Sequence, residues 1–123
     1  MTADVLCPGP SLKQHDGVNG DGKLGVNRAV HYATCDWWVF GDWQNYAERD
    51  GYVSEKIVTQ NEAIKALCRK GYTITQGNVL LYETIRDEKY PIGDNAWPSW
   101  SMWSLTSAII AAAYMGASHI RLY

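Results

Sequence analysis

Ala3-Asp4-Val5-Leu6-Cys7-Pro8-Gly9-Pro10-Ser11-Leu12 is the stretch whose reading decides the fold. Residues 3–7 are nearly all apolar, which suits a central strand buried on both faces, and such strands belong to parallel sheets. The strand runs straight into a Gly/Pro/Ser turn. Gly9 has no Cβ, so backbone there can approach a ligand closely. Ser11 offers a hydroxyl and a backbone N–H, while Pro8 and Pro10 hold the turn and remove two N–H donors. Near the other end, Trp103-Ser104-Leu105-Thr106-Ser107-Ala108-Ile109-Ile110 opens a helix rich in small residues. A strand ending in such a turn, with a Ser/Thr-opened helix beside it, is how an α/β sheet builds a phosphate or nucleotide site.

The intervening sequence alternates strand and helix signals. Residues 23–27 read as a second strand, 28–32 as one or two helical turns, and 37–40 as a third strand. Residues 43–50 read as helical and 54–58 as a short strand. The clearest amphipathic helix spans 61–70, where Ala63, Ile64, Leu67 and Cys68 follow helical spacing and Gly71 supplies the stop. Alternation predicts a strand over 72–75, with 78–82 as a further strand or its hairpin partner. Residues 83–100 read as a long loop. A helix over 104–115 ends at Gly116, and a last strand covers 120–123. The expectation is a single domain, residues 1–123, with a Rossmann-like three-layer α/β sandwich and a mostly parallel sheet.

Composition narrows the function classes. With 123 residues the chain has room for one real core and little room for two. A net charge of −2 and no run of Lys or Arg argue against a nucleic-acid grip. No apolar stretch reaches membrane-spanning length, since 105–115 is short and carries Ser and Thr. Asp4 interrupts any signal-like start, so a cytoplasmic setting is expected. Cys7, Cys35 and Cys68 are an odd number at wide spacing, which argues against a disulfide framework or a structural zinc site and for buried small side chains. The loop beginning Asp16-Gly17-Val18-Asn19 lacks calcium-loop spacing, because Arg28 stands near where a Glu ligand is needed, and no metal is expected. No GxSxG, HExxH or GxxxxGK[ST] is present, which leaves esterase, zinc-protease and NTPase readings without a motif. Tryptophans fall in two groups: Trp37, Trp38 and Trp43, then Trp97, Trp100 and Trp103. Such side chains suit a wet cleft or an interface.

Parallel sheets bind ligands at the carboxyl ends of their strands. That rule singles out Gly9, Pro10 and Ser11, then Asn27 and Asp42, with Thr106 and Ser107 at the start of the last helix. Asn27 can pair with base or ribose edges, Asp42 with a ribose hydroxyl or a metal, and Thr106 and Ser107 with a phosphate favoured by the helix dipole.

The ordered pieces Leu6-Cys7-Pro8-Gly9-Pro10-Ser11-Leu12, Gly25-Val26-Asn27, Trp37 through Asp42, and Leu105-Thr106-Ser107-Ala108 through Arg121-Leu122-Tyr123 carry a resemblance. Together they are similar to the bacterial sialyltransferases of glycosyltransferase family 42 and to a related Rossmann-like family containing the archaeal 6-hydroxymethylpterin diphosphokinase. The resemblance implies a site for a nucleotide such as CMP, contacted by Gly9, Ser11, Asn27, Thr106 and Ser107. It departs at Cys7-Pro8, where the family carries Gly-Asn. The family's Gly-x-Asp, its lid tyrosines and its general-base His would lie beyond Tyr123, and His15, His31 and His119 do not match that base. The functional expectation is therefore a nucleotide or nucleotide-sugar binding domain of glycosyltransferase type, with transferase turnover on a nucleotide donor left open. The alternative is a non-catalytic interaction module using its Trp-rich surfaces. A homodimer through the terminal edge strand or the Trp clusters is the expected assembly.

Overall fold

The computed structural model describes residues 1–8, 22–49, 56–75, 78–84, 96–99 and 104–123, with backbone alone for 83, 84 and 96–99. Its strands are β1 (Thr2–Leu6), β2 (Gly22–Val26), β3 (Trp37–Phe40), β4 (Lys56–Gln60), β5 (Asn78–Thr84), β6 (Ala96–Ser99) and β7 (His119–Leu122). The helices are α1 (Trp43–Ala47), α2 (Asn61–Arg69) and α3 (Ser104–Tyr114), with a 3-10 turn over Asn27–His31. One sheet holds all seven strands in the order β6-β5-β4-β3-β2-β1-β7. Every pairing is parallel. The fold is an α/β, Rossmann-like sandwich with an open sheet.

Right-handed crossovers explain the layering. From β1 to β6 the chain steps in one direction across the sheet. Trp38, Phe40, Ile57 and Leu6 on that face pack against Ala29 and Val30 of the 3-10 turn, Tyr46 of α1, and Ala63 and Leu67 of α2. The chain then reverses direction to place β7 beyond β1, and a right-handed return needs the opposite face. There Ala3, Val5, Leu24, Val26, Val39 and Val58 meet Ala108, Ala111 and Ala112 of α3. These small side chains let the helix lie close against the sheet. Tyr123 N–H donates to Val5 O at 2.9 Å, and Cys7 N–H donates to Tyr123 O at 2.8 Å, so the chain's end is stitched to its first strand.

Five expectations change. Residues 72–75 form no strand. Tyr46 holds them instead, its hydroxyl donating to Thr73 O and accepting from Thr75 N–H, both at 3.3 Å. β5 is parallel to β4 rather than half of a hairpin. The expected loop over 83–100 contains the end of β5 and all of β6, where Pro98 is tolerated because β6 is an edge strand. Cys68 is exposed rather than buried. At 100° per residue it stands about 120° from the middle of the Ala63–Leu67 stripe, past the edge of the buried face. The strand expected at 54–58 lies at Lys56–Gln60, which brings Gln60 to the strand's carboxyl end. The loop that begins at Asp16 lies, up to residue 21, outside the described residues.

Cys35 is buried under Gly25, where a Cβ would stand only 2.6 Å from its Sγ. Burial, reinforced by the neighbouring Asp36 and opposed by Lys23, pushes this thiol up from 9.0 to about 11. The folded state therefore holds the proton more tightly than the unfolded one. The thiol's contribution to stability is complete below pH 9.0 and is lost as pH rises toward about 11. Urea midpoints measured across that window should fall more steeply for the native chain than for Cys35→Ala. Parallel profiles would show that the thiol does not drive the decline.

Candidate functional site

The carboxyl ends of the strands form one crown, and strand register sets its rows. Phe40 lies opposite Thr59, and Gln60 opposite Tyr82. Gly41, one residue past Phe40, is thus level with Gln60 and Tyr82. Thr59 Oγ1 donates to Phe40 O at 2.6 Å, and Gln60 Nε2 donates to Gly41 O at 2.8 Å, which ties the end of β3 to that of β4. The amino end of α3 arrives at the same place. A Cβ at Gly41 would meet Tyr82 Oη at 3.1 Å, Ser104 Oγ at 3.4 Å and Gln60 Nε2 at 3.6 Å. Glycine at 41 is what allows three polar groups from β4, β5 and α3 to close over β3.

Tyr82 and Ser107 are both buried and hydrogen-bonded to each other. Burial raises the Tyr82 phenol above its ordinary 10.0, the Ser107 bond pulls it down, and the Asp42 carboxylate pushes it up. The phenol is therefore neutral at physiological pH. Ser107 faces the sheet and fixes Tyr82, while Thr106 beside it is half-buried in the helix's first turn.

Asn27 stands one residue past β2, beside the end of β1. Its φ is +52°, in the left-handed region that Asn tolerates better than most residues. Its carbonyl accepts from Trp38 Nε1 at 2.8 Å, which fixes the backbone. Its side-chain Oδ1 is buried without a hydrogen-bond partner, the one such side-chain atom among the described residues. Next in sequence, Arg28 is engaged by Glu48 at 2.9 Å on the surface. Asp42 is exposed at the end of β3, and its side chain makes no cap bond to α1.

Of the residues expected at a site, the structure therefore brings Asn27, Asp42, Thr106 and Ser107 to one end of the sheet. Gly9, Pro10 and Ser11 lie outside the described residues. Sequence reasoning missed Gln60 and Tyr82 as crown residues, while Ser104 opens the helix whose amino end it had singled out. Gln60 would have emerged from a correct placement of β4, since residues at strand ends are the ones to inspect, whereas Tyr82 lies inside β5 and comes level with Gly41 only through the register. The first Trp group is taken up by packing. Trp38 is buried, and half-buried Trp37 and Trp43 lie under the ammonium groups of Lys56 and Lys70, 5.4 and 4.5 Å from the ring centroids. No group of three metal-ligating side chains occurs among the described residues, nor does a helix long and apolar enough to cross a membrane. Set against protein-family models, curated proteins and solved structures, the chain matches none.

Proposed function

We propose that this chain is a nucleotide- or nucleotide-sugar-binding domain, of the kind that carries the donor in sialyltransferase-type glycosyltransferases, with its ligand seated on the crown. The observation that carries the reading is the meeting of α3's amino end with the carboxyl ends of β3 and β5 around Gly41. The N–H groups of a helix's first turn have no partners within the helix, and the dipole there favours an anion, so phosphate belongs at 104–106. Asp42 accepts from sugar hydroxyls. Ser107 acts at one remove, through Tyr82. Gly9, Pro10 and Ser11 follow β1 and complete the loop that the family resemblance assigns to the nucleotide. In a transferase this half of the site holds the leaving nucleotide, and the acceptor's base comes from elsewhere.

Calorimetric titration with CMP, UMP, AMP and GMP, with and without magnesium, tests the proposal. The expected result is preferential binding of one nucleotide, weakened about tenfold in Asp42→Ala, the equivalent of about one lost hydrogen bond to a charged group. Asp42 is exposed, so the variant keeps its fold. Absence of binding to all four would overturn the reading.

A further inference from the structure

We infer that the corner where α1 and α2 end is a docking surface for an acidic protein segment. Two cations there are ordered without being neutralised. Lys70 caps α2, and its ammonium lies over the Trp43 ring of α1, 4.5 Å from the centroid. Tyr46 follows Trp43 by three residues on α1, which makes the two rings neighbours on one helix face. The Arg49 guanidinium lies 4.0 Å from the centroid of the Tyr46 ring, and its Nη1 donates to Tyr46 O at 2.9 Å. The Tyr46 hydroxyl also bonds Thr73 and Thr75, just past Lys70, so both cations belong to one corner.

Neither cation meets a carboxylate among the described residues, and neither does Arg69, exposed beside Lys70. The other arginine and lysine of this helical layer are already paired, Arg28 with Glu48 at 2.9 Å and Lys65 with Glu62 at 3.5 Å. The distinction is physical. A carboxylate absorbs most of a cation's field, whereas a ring holds the cation in place and leaves its charge for another group. Ordering in advance also reduces the entropy lost on docking.

Charge decides the occupant. The chain as a whole carries −2, so three unneutralised cations in one corner are a local exception. They call for a negative partner. A nucleic acid needs a long stripe of cations along its backbone, and this corner is short. Lys70 also stands at the carboxyl end of α2, where the helix dipole is negative and a dense phosphate charge is disfavoured. Carboxylates spaced along a protein segment suit the corner better, with the apolar atoms between them resting on half-buried Trp43 and exposed Tyr72.

The test is fluorescence anisotropy of a dye-labelled oligoglutamate peptide titrated with the full chain at low ionic strength. The native chain is expected to bind it saturably. Arg49→Gln with Lys70→Gln should weaken binding at least about tenfold. Arg28→Gln with Lys65→Gln removes the same number of cations from the same layer and should weaken it by no more than about twofold. Urea midpoints check that each variant is folded. Arg49 packs on Tyr46, so Lys70→Gln alone is the second variant; its exposed side chain leaves the fold intact, and a loss of about threefold is expected. Equal losses in the two double variants would mean attraction to net charge and would overturn the inference. Undiminished binding in Lys70→Gln, or no binding to the native chain, would do the same. Tighter binding of a single-stranded oligonucleotide through the same two cations would make the partner a nucleic acid and equally overturn it.

Discussion

Replacing Trp38 with alanine should lower the unfolding free energy by about 4 kcal/mol, the largest single-residue effect expected in this chain. The indole is fully buried, with its ring centroid 4.7 Å from that of Phe40 and stacked on Tyr46 at 5.9 Å. It thus joins β3 to α1, and Tyr46 in turn holds the segment through Thr73 and Thr75 that leads from α2 toward β5. A domain of this size has about 5–15 kcal/mol in total, so the loss is a large fraction of the whole. Urea denaturation at neutral pH measures it. A drop below about 1 kcal/mol would mean that the ring is not part of the cooperative core.

A second substitution at the same position separates packing from the site. Trp38→Phe retains an aromatic ring against Phe40 and Tyr46 and deletes the N–H that Asn27 O accepts. Its stability cost should be well below that of alanine. Its effect on ligand binding should be the larger one, because the left-handed backbone of Asn27 then loses the bond from the buried indole. The core and the crown are therefore linked at one bond, and Trp38 belongs to both.

What the sequence made legible follows from where the physics is local. The apolar runs at 3–7 and 37–40 lie in central strands because both faces of those strands are covered, and continuous hydrophobicity has few other uses in a short segment. The 61–70 and 104–115 helices were readable because Gly71 and Gly116, with φ of +83° and +96°, end them where the pattern stops. The misreadings were at edges and in register. Residues 72–75 alternate like a strand, yet Tyr72 N–H donates to Leu67 O of α2, and Thr73 O and Thr75 N–H are bonded by the Tyr46 hydroxyl, a tertiary contact with no sequence signature. Pro98 made β6 look like loop, which it does only until its edge position is known. The site was half legible for the same reason. Asn27 and Asp42 follow strands that pattern alone could place, whereas Gln60 ends a strand whose limits depend on pairing and Tyr82 lies inside β5, level with Gly41 only through the register. The orphaned Oδ1 of Asn27 and its positive φ could not be read from sequence at all.

The second large effect is expected at the sheet's last strand. Asp4 is fully buried in β1, and Arg121 of β7 reaches it with two hydrogen bonds, Nε to Oδ1 at 2.6 Å and an amino nitrogen to Oδ2 at 3.1 Å. The two strands pair in register at these residues. The asymmetry between the partners is what matters: the Arg121 side chain is 46% exposed and the Asp4 side chain 0%. Truncating the arginine leaves a carboxylate without its partner in a site from which water is excluded, which costs about 3 kcal/mol. Removing the charge as well should recover part of that loss, because a neutral amide is cheaper to bury than an ion. The ordering expected in urea is native first, then Asp4→Asn with Arg121→Ala, then Arg121→Ala alone. If the double variant were no more stable than the single one, the pair would be a surface contact rather than the neutralisation of a buried charge. If the ordering holds, β7 is fixed to the sheet chiefly by what β1 needs from it. The exposed Leu122 and half-buried Ile120 contribute less. A strand whose own burial is slight can then close one edge of the sheet because the charge beneath it has no other counterion among the described residues.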